Sequence, residues 1–526
     1  MINVRTSIRY IATQQLLKWV HVGLIGLFVA AGFILPETAT AAPGSITSCS
    51  SPINISNSPG YTSADPFILA DPTGATHLFW AEKATGQPNE APNIPDTVMY
   101  SRWNGRNWSE PLDIFISPPE NFNRKIAGIR GVLDDMGRIH LVWMGPDDML
   151  FYGSVYANEA GNAAAWDGPI LIAEDQTGTQ YSAGIAYQSP HTLHMIYGRD
   201  PQDSANRTVA YIRSVDNGAT WSSPVDIYAF PDPERGASNT RIHVDPYHEE
   251  HVYATWTEWD QTGNGQVIYF ARSHNSGETW DRPVPLAVRV GDEYQRDWTN
   301  LAVLSETELM VFWSGGFRAY PQAQYSYDGG QTWTDAIDTL YWLIADNGYA
   351  EFIRDSDDRL HLFITRRVRE GYTYKCDNIP ECSGQGNAIW HTVWQGGTAW
   401  SEPEPVGGFQ YGNFISLAHD GGNKIFLAWF RYEVLDVLAM SCEIEAVEPA
   451  VPTPLPEPTL PPLTFIEPVV EETAVFTTTH EANTFLFDQE RPIVNEMTVG
   501  QNLLYGVLPA FLVILLIGGW HWRTRQ

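Results

Sequence analysis

The chain has 526 residues, of which 43% are hydrophobic and 13% aromatic, enough to bury a large core. Only 18% are charged, and Asp plus Glu outnumber Lys plus Arg by 62 to 31, a formal net charge of -31. A surface of that sign repels nucleic acid and anionic lipid headgroups, so neither is expected as a partner.

The N-terminus carries Arg5, Arg9 and Lys18, then an apolar run from Val20 to Leu35, then Ala39, Thr40 and Ala41. Basic flank, apolar stretch and small residues in that order describe a secretory signal peptide over residues 1–41. An uncleaved anchor is the competing reading, and under either the body that follows is exported.

Residues 45–446 form that body, and within it three segments repeat. They are Ser214-Val-Asp216-Asn-Gly218-Ala-Thr-Trp221, Ser273-His-Asn275-Ser-Gly277-Glu-Thr-Trp280 and Ser326-Tyr-Asp328-Gly-Gly330-Gln-Thr-Trp333. The shared pattern is S-x-D/N-x-G-x-T-W. Its chemistry is structural: Asp216, Asn275 and Asp328 can bond the amides of a tight turn, Gly218, Gly277 and Gly330 can take a positive φ, and Trp221, Trp280 and Trp333 pack beneath. Degenerate copies end at Trp108, Trp166 and Trp400, so the closing tryptophans are spaced by 58, 55, 59, 53 and 67 residues. Before each comes a pair of short apolar strands, such as Ile139-His-Leu-Val-Trp143, His251-Val-Tyr-Ala-Thr-Trp256 and Leu309-Met-Val-Phe-Trp313. Alternating, β-branched and aromatic runs bounded by Gly, Pro and Asp read as strands, and helical periodicity is almost absent.

The repeated turn resembles the Asp-box, or BNR, repeat of sialidases and related β-propellers. A period near 55 suits one four-stranded blade, and the body is expected to be all-β. Seven blades are counted: six full ones, and a last one whose three strands (414–418, 424–429 and 434–440) are completed by the N-terminal segment Ser50-Ser-Pro52-Ile-Asn-Ile55. The alternative is the six-bladed sialidase fold. Cys49 stands where the Asp-box tryptophan would be and Cys442 where the box would begin, so a disulfide between them would replace the missing hairpin. Cys376 and Cys382 would pinch a long loop. Four cysteines allow three pairings.

The resemblance also implies a site. Sialidases hold the substrate carboxylate with three arginines, protonate through an Asp, and use a Tyr paired with a Glu as nucleophile. Their first arginine stands in an Arg-Ile-Pro motif in the opening strand, whereas here that strand reads Asp65-Pro-Phe67-Ile68-Leu69-Ala70-Asp71. The missing arginine and the seventh blade argue against ordinary sialidase catalysis.

Binding is instead expected on the face opposite the repeated turns, where the long, varied loops lie. Trp298 and Tyr411 are candidates to stack on sugar faces, and Arg199, Arg296, Arg318, Arg366 and Arg431 to grip a carboxylate. Arg199, Arg366 and Arg431 each close a second strand, which places them as a set converging on the central channel. Should the protein be an enzyme, Glu258, Glu293, Tyr294 and Asp297 are the first catalytic candidates. No cofactor or metal is expected, because the histidines are scattered and His77, His140, His194 and His361 fall within second strands, where a packed neutral imidazole is the ordinary reading.

Residues 447–500 read as a Pro/Glu/Thr-rich linker and stalk. Residues 503–522 are nearly uninterruptedly apolar, the ~20 residues of a membrane-spanning helix. Arg523 and Arg525 in the tail 523–526 place the far end in the cytoplasm and the propeller outside the cell. The expectation is a cell-surface propeller that binds a glycan or another extracellular ligand. A glycoside hydrolase of the exo-α-sialidase type and a protein-interaction platform are the alternatives.

Overall fold

A computed structural model describes residues 44–84, 96–117, 126–176, 183–201, 206–291, 295–315, 320–340, 343–344, 349–368, 387–406, 413–431 and 434–445. The segments read as leader, stalk and membrane helix lie outside these residues, as do Cys376 and Cys382. Among the described residues no helix is long and apolar enough to cross a membrane.

The body is a seven-bladed β-propeller. Seven antiparallel sheets follow one another along the chain, six of them built from consecutive strands. Their innermost strands are Tyr61–Ala70, Ala127–Leu133, Ala183–Gln188, Gly236–Val244, Thr299–Val303, Ala350–Arg354 and Asn413–His419. Each touches the next, and the last touches the first, so the ring is closed. The blades are called A to G in that order. The second strands supply the largest buried side chains, including Trp80, Trp256, Trp313 and Trp429, and their apolar sequences reflect burial on both faces between neighbouring blades.

The S-x-D/N-x-G-x-T-W turns join third to fourth strands, and every residue of the pattern has a task. In blade C, Ser214 Oγ donates to Asp216 Oδ1 at 2.7 Å and accepts from the Gly218 amide at 2.8 Å. The Asp216 carboxylate accepts the Thr220 amide and hydroxyl at 2.8 and 2.6 Å. Ser326, Asp328, Gly330 and Thr332 repeat this network in blade E. The glycine then docks on the preceding blade: a Cβ on Gly277 would lie 1.8 Å from the Tyr211 hydroxyl, and Gly277 has φ +81°. Trp280 meets the same tyrosine edge-on, with ring centroids 5.0 Å apart. Trp221 on Tyr152 and Trp333 on Phe270 repeat the contact, so these turns couple successive blades.

Closure is made by the chain's two ends. Blade G has the strands Asn413–His419, Lys424–Arg431 and Asp436–Ile444. Two short N-terminal strands, rather than one, pair with the last of these: Ile46–Cys49 against Cys442–Ile444, and Ile53–Asn54 against Leu438 and Ala439. The Ser50 amide donates to Ser441 O at 2.8 Å, as the Ser222 amide donates to Arg213 O in blade C. Residues 50–55 therefore do stand in for a fourth strand. The additional strand Ile46–Cys49 occupies the place of the coupling turn, and a Cys49–Cys442 disulfide fastens it.

Candidate functional site

The inner strands share one register, and it defines a ring around the channel. Four residues before the turn that ends each inner strand stand Phe67, Arg130, Gly184, Arg241, Asn300, Glu351 and Ser416. Their second-strand partners, Phe79, Val142, Ile196, Thr255, Phe312, Phe363 and Ala428, are equivalent too. The scaffold is repetitive, yet this level carries six different residue types at its seven positions.

Arg241 of blade D reaches Glu351 of blade F with both guanidinium nitrogens, the Nη1–Oε2 contact being 3.2 Å. Asn300, in the blade between, donates to Glu351 Oε2 at 3.1 Å and to Ala350 O at 3.3 Å. Arg130 donates to Ile129 O at 2.8 Å. The glycine between the two arginines lets the blade D backbone come close, since a Cβ on Gly184 would lie 2.9 Å from Thr240 O.

Two residues before the ring, the chain turns left-handed at Asp65 (φ +54°), Gly128 (+64°), Asn239 (+50°), Trp298 (+57°) and Phe414 (+54°). The inner-strand pairing of blades A, B, D and G shifts register at this point, the signature of a β-bulge. Asp and Asn take that conformation readily; Trp and Phe do so at a cost of ~1 kcal/mol or more, and such strain gathers at functional positions. The result is an aromatic wall on the long-loop side of the ring. Trp298 and Tyr349 have centroids 4.1 Å apart, and Tyr349 and Phe414 4.4 Å. A cavity of about 110 Å³ is lined by these three rings together with Phe67, Arg130, Arg241 and Glu351. Phe67, Arg130 and Arg241 also line a second cavity, of about 480 Å³, which extends toward the inner-strand turns past Tyr187 and Val244.

Of the ligand-binding residues expected from the sequence, Trp298 lines this channel. Arg199 is engaged by Asp175 at 2.5 Å and by Asp226 at 3.3 Å. Arg366 is fully buried and donates to Ser314 O at 2.6 Å. Arg431 ends its strand opposite Asp436, and the Arg296 amide bonds Gly265 O at 3.0 Å. The channel arginines are Arg130 and Arg241, one strand further in than Arg199, Arg366 and Arg431. Arg318, Tyr411, Glu293 and Tyr294 lie outside the described residues.

The two described carboxylate candidates sit in separate surroundings. Glu258 is buried, accepts from Tyr269 Oη at 3.1 Å, and lies 3.8 Å from Arg235. Burial raises its pKa against the opposing effects of Tyr269 and Arg235. Tyr269 also meets Tyr228 hydroxyl to hydroxyl at 2.7 Å, and burial pushes its phenol far up, away from nucleophile duty. Asp297 is pushed up to about 7 by burial, against hydrogen bonding from Gly265. The second-strand histidines are fully buried and bonded at both nitrogens: His77 to Tyr100 and Asp71, His140 to Tyr152 and Asp134, His194 to Tyr211 and Gln188, His361 to His391 and Asp355. Burial drives His194 down to about 3.

No family model matches the chain, and no curated protein matches it. Solved structures do. A lectin, BP39L from Burkholderia pseudomallei, aligns at TM-score 0.51 and 12% identity over 73% of this chain and 97% of its own. A protein of unknown function from Dyadobacter fermentans aligns at TM-score 0.45, with 14% identity over 76% and 99% of the two chains. A Hadza microbial sialidase aligns at TM-score 0.42 and 12% identity over 73% and 66%. At these identities the likeness is one of fold.

Proposed function

We propose that this propeller is a glycan-binding protein whose sugar site is the long-loop mouth of the channel, walled by Trp298, Tyr349 and Phe414 above Arg130, Arg241 and Glu351. The observation that carries the reading is the strained aromatic wall set directly over a polar ring. Aromatic faces receive the C–H faces of a pyranose, while guanidinium, amide and carboxylate groups at fixed positions take its hydroxyls. Binding is favoured over turnover because Glu351 is the single carboxylate lining the two cavities among the described residues. Glu351 is already engaged by Arg241 and Asn300, and glycoside hydrolysis calls for two carboxylates. A propeller found as a lectin in the similar Burkholderia protein supports this assignment.

The exo-sialidase reading keeps one observation in its favour, since two arginines, Tyr349 and Glu351 line one cavity. A fluorogenic sialoside separates the two. We further propose that the propeller is displayed outside the cell on the helix 503–522; a disulfide between the chain's two ends is the kind of bond that persists in an oxidising compartment. The test is a glycan array probed with the full chain, followed by titration of the best ligand. Trp298→Ala is expected to weaken binding at least ~10-fold, about 1.4 kcal/mol. Glycan affinity unchanged in Trp298→Ala, or sialic acid released by wild type and not by Glu351→Gln, would overturn the proposal.

A further inference from the structure

On the opposite face, blade D departs from the repeat at the turn between its first two strands. In blades A, B and F that turn begins at Asp71, Asp134 or Asp355, whose amide bonds the carbonyl four residues on. The Asp carboxylate then meets the buried histidine of the second strand. In blade D the equivalent amide, that of Asp245, bonds His251 O, six residues on. The turn Asp245-Pro-Tyr-His248-Glu-Glu-His251 is thus two residues longer. The framework histidine is replaced by Tyr253, opposite His243 in the register, and its hydroxyl donates to Asp245 Oδ2 at 2.7 Å. His248 and His251 are therefore additional to the framework rather than copies of its packed imidazole.

We infer that Asp245, His248 and His251 form a binding site for a divalent transition cation of the zinc class. Their ligand atoms all lie within 4.8 Å of one another. Asp245 Oδ2 is 3.0 Å from His248 Nδ1 and 3.6 Å from His251 Nδ1. Those separations bracket the ~3.3 Å edge of a tetrahedron with metal–ligand bonds of ~2.0–2.1 Å. The carboxylate is held in place: its Oδ1 accepts the amides of Tyr247 and His248 at 2.8 and 3.3 Å, and Tyr253 steadies Oδ2. The other nitrogen of His251 lies 3.2 Å from His274 Nδ1, and His274 Nε2 lies 3.4 Å from Asp281. His274 belongs to the repeated turn of the same blade, at the position filled by Val215 and Tyr327 elsewhere. A chain from Asp281 through His274 to the far nitrogen of a ligating imidazole is the arrangement that fixes tautomer and ring orientation in metal sites. Asp245 is buried while His248 and His251 are partly exposed, leaving a fourth coordination position open to water or an outside ligand. Two imidazoles and one carboxylate favour zinc, copper or nickel over calcium and magnesium.

The test is calorimetric titration of the metal-stripped full-length chain with ZnCl2, with CaCl2 and MgCl2 as comparison cations and CoCl2 absorption to report geometry. Wild type is expected to bind zinc at this site in the micromolar range or tighter. The double variant His248→Gln, His251→Gln loses one equivalent or at least 30-fold in affinity, and His274→Gln about 10-fold, the usual size of an outer-sphere effect. His419→Gln, at a histidine three blades further round the ring in blade G, stays at the wild-type value. Circular dichroism confirms that each variant is folded. Zinc stoichiometry and affinity equal in wild type and the double variant, or no zinc uptake by wild type, would overturn the inference.

Discussion

The ring is fastened by a disulfide between residues 393 apart, and this is where its stability is most directly testable. Chain-entropy reasoning sets the ceiling: closing a loop of that length lowers the entropy of the unfolded ensemble by ~20 cal/mol/K, about 6 kcal/mol at 25 °C. The measured loss should be smaller, ~3–5 kcal/mol, because residual structure in the unfolded chain already narrows its ensemble. Paired strands remain when the bond is gone, since Ile53–Asn54 still meets Leu438 and Ala439, and Asp436 still accepts from Asn54 and Ser56 at 2.7 and 3.0 Å. The double variant Cys49→Ala, Cys442→Val preserves apolar character at the buried Cys442 and removes only the link. Guanidinium unfolding followed by tryptophan fluorescence should show the drop, and limited proteolysis should cut first near residues 46–55. A loss below ~1 kcal/mol, with those residues still protected, would refute the idea that the ring depends on a covalent clasp.

Gly277→Ala should destabilise by ~2–4 kcal/mol, because the methyl meets the Tyr211 hydroxyl at 1.8 Å and φ is +81°. The same change at Gly105, where nothing lies within 4 Å, should cost only the ~1 kcal/mol of its positive φ; equal losses in thermal unfolding would contradict the docking role. Asp297 makes stability pH-dependent with a definite sign. Its folded pKa, about 7, lies above the unfolded value, so the native state binds the extra proton and stability falls as pH rises from ~4 to ~7. The full penalty is about 4 kcal/mol at one pKa unit per 1.36 kcal/mol. Asp297→Asn should therefore flatten the pH profile and unfold at a higher temperature than wild type at pH 8, and parallel profiles for the two proteins would exclude the effect.

The blades were legible in the sequence because their signals are local. The serine, acid, glycine, threonine and tryptophan of each turn bond within eight residues, so the pattern survives as a linear motif. The split blade was legible through Ser50–Ile55, but not the strand Ile46–Cys49, whose polar residues carry no alternation. The channel was harder to see. Arg130 and Arg241 look like ordinary strand residues until the turn acids Asp134 and Asp245 set the register, and counting back four residues from each finds them. Arg199 and Arg366 drew attention by closing apolar strands, yet a second strand is packed between blades, and their charges are met there by Asp175, Asp226 and the Ser314 carbonyl. Tyr349 and Phe414 gave no sequence signal, because their role comes from stacking between blades 65 residues apart in the chain.

A repeat protein separates its scaffold from its function by position. Where several blades agree, at the buried histidines of A, B, C and F, the coupling glycines of C, D and E and the turn acids of A, B, D, F and G, the shared residue answers a packing or hydrogen-bonding need that recurs from sector to sector. Where they disagree at an equivalent position, packing cannot be the reason, since the neighbouring sectors solve the same packing problem differently. The channel ring carries six residue types at its seven positions, arginine alone recurring, and the level just outside it carries Trp298 and Phe414 in a backbone conformation where other blades place Asp65, Gly128 and Asn239. Stability alone would have favoured Asp, Asn or Gly there. Aromatic rings kept in that strained conformation, beside the polar residues that line the same cavity, are what the proposed glycan site would use as its flat apolar surface. The longer turn of blade D is the same kind of departure, and it concentrates metal-binding side chains instead of aromatic ones.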